Sequence, residues 1–291
     1  MANRPEIKIA KVAQLKGHKD SIYDFVLDKE TRTIYSAGAE GYVVKWDIDN
    51  PENGILVLQG GEAFYSMTKH DAHLLLGSRN GEIFKVNLAD NTLVSKQKKH
   101  HGGVFFIMDT TSGGEDGILS YTRNEEQRSL QVSNESLRCI IQSEGSYFIG
   151  ASDHLIYEVD KDTMQVTRTL VGHTNSVFAL TLLDEKTLVS TGRDAMIRAW
   201  DLTIGKEVYS VAAHEYQGKS VSYNGNILIS SSMNKTIKLW NDKLELVKVI
   251  DFDRYQGHTN CINKVEWIDE NMFVSCSDDR TLCLWKVEII L

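Results

Sequence analysis

The sequence predicts an all-β chain assembled from seven repeated units. No segment shows a sustained 3.6-residue apolar period. Short alternating runs split by polar turns recur instead, as in "TLVSTGRDAMIRAWDL", which is strand and hairpin chemistry. The stretch "GHTNSVFALTLLDEKTLVSTGRDAMIRAWD" (Gly172 to Asp201) has a near twin, "GHTNCINKVEWIDENMFVSCSDDRTLCLWK" (Gly257 to Lys286). The positions that close successive units lie mostly 40 to 46 residues apart, a period that signals a repeat architecture.

Four units keep a common polar set. In the first stretch it is His173, Ser190, Asp194 and Trp200, and in its twin His258, Ser275, Asp279 and Trp285. The serine lies four before the acid and the tryptophan six after it. Two further units keep the frame with softer chemistry: His18, Ser36, Glu40 and Trp46, and His214, Ser230, Asn234 and Trp240. Three weaker units lie between. "LLLGSRNGEIFKVNL" places Asn80 in the turn and Val86 at the tryptophan position. "ILSYTRNEEQRSLQV" reads as keeping Ser120 and ending at Val132 after a longer turn. "YFIGASDHLIYEVD" keeps Asp153 and ends at Val159.

These residues resemble the WD40 repeat family. The carrying pairs are Gly17-His18, Gly172-His173 and Gly257-His258, with Trp46-Asp47 and Trp200-Asp201 closing two repeats. The resemblance implies a seven-bladed β-propeller of four-stranded antiparallel blades. It also implies a role for the polar set: indole N–H to serine, serine to histidine, histidine to the turn acid. Ser, His and Asp are the parts of a hydrolase triad. A set repeated in several blades and joined by a tryptophan reads instead as a structural staple.

In this family the outermost strand of each blade comes from the start of the next repeat. "EIKIAKVAQL" (Glu6 to Leu15) is then expected to complete the last blade, closing the ring and removing exposed edges. The apolar tail Val287 to Leu291 should pack. Val132 to Val159 spans only 27 residues, so the fourth repeat is expected to be short, with an outer strand missing or shared around Ser133 to Ser136.

Composition bounds the rest. Among 291 residues, 42% are hydrophobic and 25% charged, ordinary for a soluble globular protein. The two prolines, Pro5 and Pro51, mark no junction, so residues 1–291 read as one unit. The formal net charge of −8 argues against a general nucleic-acid binder, which needs a basic surface. No signal-peptide core and no membrane-length apolar run occur. Cys139, Cys261, Cys276 and Cys283 form no zinc spacing and point to a reducing cytoplasmic setting. Cys276 and Cys283 read as a buried reduced pair facing each other on paired strands.

"KQKKHHGG" (Lys96 to Gly103) lacks an acidic or cysteine partner at ligand spacing. It reads as a solvated loop, with His101 at the blade-histidine position. "SGGEDG" (Ser112 to Gly117) lacks the alternating oxygens of a calcium loop and reads as a flexible hairpin tip. No cofactor or metal is expected.

The family resemblance implies a non-catalytic scaffold that binds a peptide or partner domain on the ring face around the channel. Candidate contact positions are the third and fifth residues after the blade histidine, and the residue before the turn acid. The first kind gives Ser21 and Tyr23, Ser176 and Phe178, Cys261 and Asn263, and Val104 and Phe106. The second gives Arg79, Arg123, Ser152, Arg193, Met233 and Asp278, with Tyr216 as a looser candidate. Arg79, Arg123 and Arg193 converging on one rim would suit an acidic or phosphorylated peptide. The ring is expected to be monomeric. The alternatives are a propeller hydrolase or lyase with a channel active site, and a nucleic-acid-associated WD40 subunit.

Overall fold

Short strands with apolar residues on both faces need a neighbour on each side. The chain meets that need by stacking sheets face to face around a ring. The computed structural model describes residues 6–123 and 125–290. They form seven four-stranded antiparallel sheets, the blades. Blades 1 to 6 occupy residues 22–59, 64–98, 104–131, 137–171, 177–212 and 218–250, each with its four strands in sequence order. The first strand of each blade is innermost: Ile22–Asp28 packs against Phe64–His70 on one side and Ile262–Trp267 on the other.

Blade 7 closes the circle. Its order is Glu6–Lys16, Thr281–Ile290, Met272–Ser277, Ile262–Trp267, so the N-terminal strand supplies the outer edge. Ile7 pairs with Ile289 and Lys16 with Thr281, with one bulge between Lys11 and Ala13. Val287 is buried in the tail strand; Leu291 lies outside the described residues.

The cores sit between blades. Trp46, Phe25 and Ile34 of blade 1 pack against Val274, Leu282 and Leu284 of blade 7, with Leu15 alongside. One short helix, Phe252–Tyr255, is N-capped by Asp251, whose carboxylate accepts from the Arg254 N–H. Among the described residues no helix is long and apolar enough to cross a membrane.

The fourth repeat is not short. Blade 4 has four strands: Leu137–Gln142, Ser146–Ala151, Leu155–Asp160 and Val166–Val171. The expected deficit came from misplacing the third repeat by one strand. Ile118–Arg123 is the third strand of blade 3, and Glu126–Gln131 is its outer strand. "SGGEDG" is no loose tip, because Thr111–Gly114 is the second strand. The physical reason is Phe106: a Cβ on Gly113 would meet its ring at 2.2 Å. A strand that must clear this ring carries glycine where an apolar residue would have marked it.

Cys276 and Cys283 do not face each other either. Cys276 pairs with Leu282 and Cys283 with Ser275, so the two thiols point to opposite faces and enter different cores.

Candidate functional site

Blades 1, 5 and 7 each hold a complete polar staple. In blade 5, Trp200 Nε1 donates to Ser190 Oγ at 2.8 Å. His173 Nε2 lies 2.7 Å from that hydroxyl, and His173 Nδ1 lies 2.9 Å from Asp194. Blade 7 repeats this with Trp285, Ser275, His258 and Asp279, and blade 1 with Trp46, Ser36, His18 and Glu40. Burial favours the neutral acid, yet the bond and charge of His173 and two backbone N–H groups hold Asp194 down at about 2. Burial likewise opposes charge on His258, but its contacts with Asp279 and Cys283 carry it to about 9.

Blade 6 differs. Trp240 and His214 bond Ser230 at 2.8 Å, but Asn234 meets Thr236 Oγ1 rather than the ring, and Thr236 lies 3.4 Å from His214 Nδ1. Burial, then repulsion from Lys238, lowers the His214 pKa to about 3.

Blade 3 has a staple without tryptophan. His100, not His101, bonds Ser112 at 2.8 Å and Asp116 at 3.0 Å. The tryptophan position, two past the Ser112 partner Ser120, holds Thr122. In blade 4, Asp153 accepts from Ser133 and Tyr157 hydroxyls instead. Each acid, amide or arginine at the turn sits at one end of the ring.

At that end, every first strand carries a one-residue bulge. The bulged residues are Tyr23, Tyr65, Phe105, Arg138, Phe178, Lys219 and Asn263. A bulge re-aims a side chain, and here all seven side chains line one channel of about 410 Å³, Tyr23 at one blade through Asn263 at the last. Tyr23 meets Tyr65 edge-on at 5.4 Å, and Tyr65 stacks on Phe105 at 5.7 Å. Arg138 lies over Phe105 at 4.2 Å and over Phe178 at 5.1 Å. Arg193 and Lys219 lie over Phe178 at 5.5 and 5.1 Å. Asn263 is already engaged, donating to the Ile22 carbonyl and to Asp278.

The residue before each turn position forms an outer ring. Its N–H bonds the carbonyl two residues before the bulge: Arg79 to Ala63, Glu115 to Gly103, Ser152 to Ser136, Arg193 to Ser176, Met233 to Gln217, Asp278 to Cys261.

Several candidates belong elsewhere. Phe106 is buried in the core between blades 3 and 4; Phe105 takes the mouth position. Arg123 ends the third strand of blade 3, at the opposite end of the ring, where Nη1 bonds the Asp162 carbonyl. Glu115 stands in its place. Tyr216 is exposed in the loop entering blade 6, and Lys219 is the bulge residue there. Counting five from His100 and His214 reaches Phe105 and Lys219, so that count carried the signal. Choosing His101, and shifting blade 6 by one residue, hid both. Tyr65 and Arg138 follow no histidine, and only the bulge locates them.

Four stretches, residues 10–47, 164–201, 205–241 and 250–286, match the family described as WD domain, G-beta repeat. The chain belongs to the WD40 family. The matched stretches end at or just after Trp46, Trp200, Trp240 and Trp285; blades 2 to 4 carry the fold without that mark. The chain is 28% identical over 120 residues to the ribosome biogenesis protein WDR12 homolog of Aedes aegypti, covering 40% of this chain and 28% of that protein. It is 31% identical over 98 residues to the THO complex subunit 6 homolog of Mus musculus, covering 33% and 29%. Its alignment thus spans less than a third of either relative. The WD40 β-propeller domain of Doa1 superposes with a TM-score of 0.84 at 21% identity, over 96% of this chain and 97% of that one.

Proposed function

We propose that this WD40 chain is a non-catalytic scaffold, working as a single monomeric ring that binds an acidic or phosphorylated segment of a partner protein at the channel mouth. The observation that carries this reading is the bulge ring. Seven side chains of one register, four of them aromatic and two cationic, converge on one opening. Aromatic and arginine side chains are the usual anchors of interfaces.

Burial of the staples also supports it. Ser36, Ser190, Ser230 and Ser275 are fully buried. Each hydroxyl is held between an indole and an imidazole, where no substrate reaches it. The two relatives bear the names of a complex subunit and a ribosome-biogenesis protein, in keeping with a role in assembly. Four free cysteines suit a reducing compartment such as the cytoplasm. Burial pushes the Cys139 thiol up to about 12 and Cys261 to about 11, which keeps both unreactive.

The test is affinity capture from cell extract with the intact ring and with a ring carrying Tyr65→Ala and Phe105→Ala. A specific partner should be retained by the first and lost by the second, at matched melting temperature. Equal capture by both rings would move the interface away from the mouth.

A further inference from the structure

We infer that Arg138, Arg193 and Lys219, gathered around Phe178, form a seat for one phosphate monoester on the partner segment. The inference rests on the scaffold reading above and names what that mouth recognises. The three cations come from three adjacent blades, 4, 5 and 6, and each lies within 5.5 Å of the Phe178 ring centre.

No ion pair among the described residues offsets their charge. Lys264, on an inner strand of blade 7, is paired with Asp24, and Arg198 of blade 5 with Asp194 and Glu207. Among the described residues no acid pairs with Arg138, Arg193 or Lys219. Burial, then repulsion from Arg193, lowers the Arg138 pKa; burial does the same to Lys219, with Arg138 and Arg193 adding to it. Arg138 and Lys219 are half-buried and Arg193 is exposed at the rim; like charges held close and partly out of water are costly unless an anion joins them.

The geometry is prepared in advance. Arg138 is clamped between Phe105 and Phe178, so its guanidinium loses little freedom on binding. A carboxylate would leave most of the positive charge uncompensated. A phosphate monoester carries about −1.5 to −2 and three acceptor oxygens, which matches three cations.

A nucleic acid fits less well. Tyr65 is stacked on Phe105, and the Phe105 ring is covered by Arg138, so these faces are not open to bases. A net charge of −8 repels an extended polyanion while leaving room for one local anion. Asp278, on the adjoining blade 7, is bonded to Asn263 and favours the charged form of Lys219 from beside the seat, so one edge of the cationic sector is acidic.

The experiment uses degenerate peptide pools with a fixed central phosphoserine, phosphothreonine or phosphotyrosine. Matching pools carry the unmodified residue or glutamate, and polyuridylate is a fourth probe. Binding to the full ring is read by fluorescence anisotropy at physiological salt. A phosphorylated pool should bind at least about tenfold more tightly than its unmodified and glutamate counterparts, the scale of one charge-assisted hydrogen bond. Arg193→Glu with Lys219→Glu should erase that difference with the melting temperature kept; Arg138→Lys, which keeps the charge but not the fork, should reduce it. Equal binding of phosphorylated and unmodified pools, no binding of either, or a difference that survives the double variant overturns the seat. Equal binding of the glutamate pool makes it a carboxylate site, and preference for polyuridylate makes it a nucleic-acid site; both overturn it.

Phosphatase treatment of the extract separates this inference from the scaffold reading. The captured partner should be lost after treatment. A partner kept after treatment but lost by the Tyr65→Ala, Phe105→Ala ring overturns the seat and leaves the scaffold standing. A partner kept in both cases overturns both.

Discussion

Asp194 and Asn234 hold the same place in neighbouring blades, yet their removal should cost very different amounts. The Asp194 carboxylate is 4% exposed and accepts from His173 Nδ1 at 2.9 Å, Thr174 N at 3.1 Å, Met196 N at 3.2 Å and Arg198 Nη2 at 3.3 Å. Its pKa of about 2 against a usual 3.8 corresponds to about 2 kcal/mol favouring the ionised form. Asp194→Ala leaves an imidazole and two amides without their acceptor and takes one of two carboxylates from Arg198, which keeps Glu207. Breaking a buried pair in this way costs about 3–5 kcal/mol, more than the pair itself is worth. Asn234 makes one side-chain bond, from Thr236 Oγ1 at 2.6 Å, and His214 beside it is neutral. Asn234→Ala should cost only about 0.5–1.5 kcal/mol. Urea unfolding followed by tryptophan fluorescence measures both variants on one scale, and about 3 kcal/mol should separate them. On heating, the gap should be roughly 6–12 °C. Equal costs would refute the assignment of the charged staple to blade 5. So would an Asp194→Ala ring that keeps its stability yet loses its partner, since that would make the residue a contact and not a staple.

Titration should expose two histidines with opposite effects. The His258 pKa is raised in the fold to about 9, so its stabilisation is complete below pH 6.5 and fades as pH rises through 9. The His214 pKa is depressed to about 3, so stability falls as pH drops below 6.5, and His214→Gln should flatten that acid limb in a melting-temperature profile. Deleting residues 1–15 should strip the outer strand from blade 7 and expose an edge; a truncated ring that stays soluble with an unchanged melting temperature would contradict closure through Thr281–Ile290. Thr122→Trp should place an indole over Ser112 Oγ, beside a cavity of about 270 Å³ lined by Leu75, Ile83 and Ile107. A gain of about 1 kcal/mol is expected from the hydrogen bond, and a loss would mean that blade 3 is overpacked there.

The staples of blades 1, 5, 6 and 7 were legible because chemistry and spacing coincide. A serine must meet an indole ten residues on, and that separation is set by one hairpin of fixed length. Blade 3 hid the same geometry. Its Thr111–Gly114 strand holds Ser112 but shows glycine where Phe106 needs room, so Ser120 took the place of Ser112 and the later landmarks of that repeat moved by a strand. Arg123 then fell on the wrong end of the ring. Arg79, Arg193 and Asp278 were placed correctly at the turn because their repeats keep the turn spacing.

Repeat number follows from the sequence alone, since periodic polar sets and alternating apolar runs are local patterns; ring closure through Glu6–Lys16 and the staple chemistry followed from the resemblance to WD40 repeats that those patterns carry. The mouth is different. Tyr65 and Arg138 lie in repeats without a blade histidine, and Phe105 and Lys219 in repeats whose register shifts. Nothing near Tyr65 or Arg138 in sequence marks them. They become a site because seven bulges, spread over some 240 residues of chain, turn their side chains toward one axis. That Arg138 is clamped between two phenylalanines of flanking blades, and shares Phe178 with Arg193 and Lys219, is decided only by blade packing, which brings together charges that the chain itself keeps 26 to 81 residues apart.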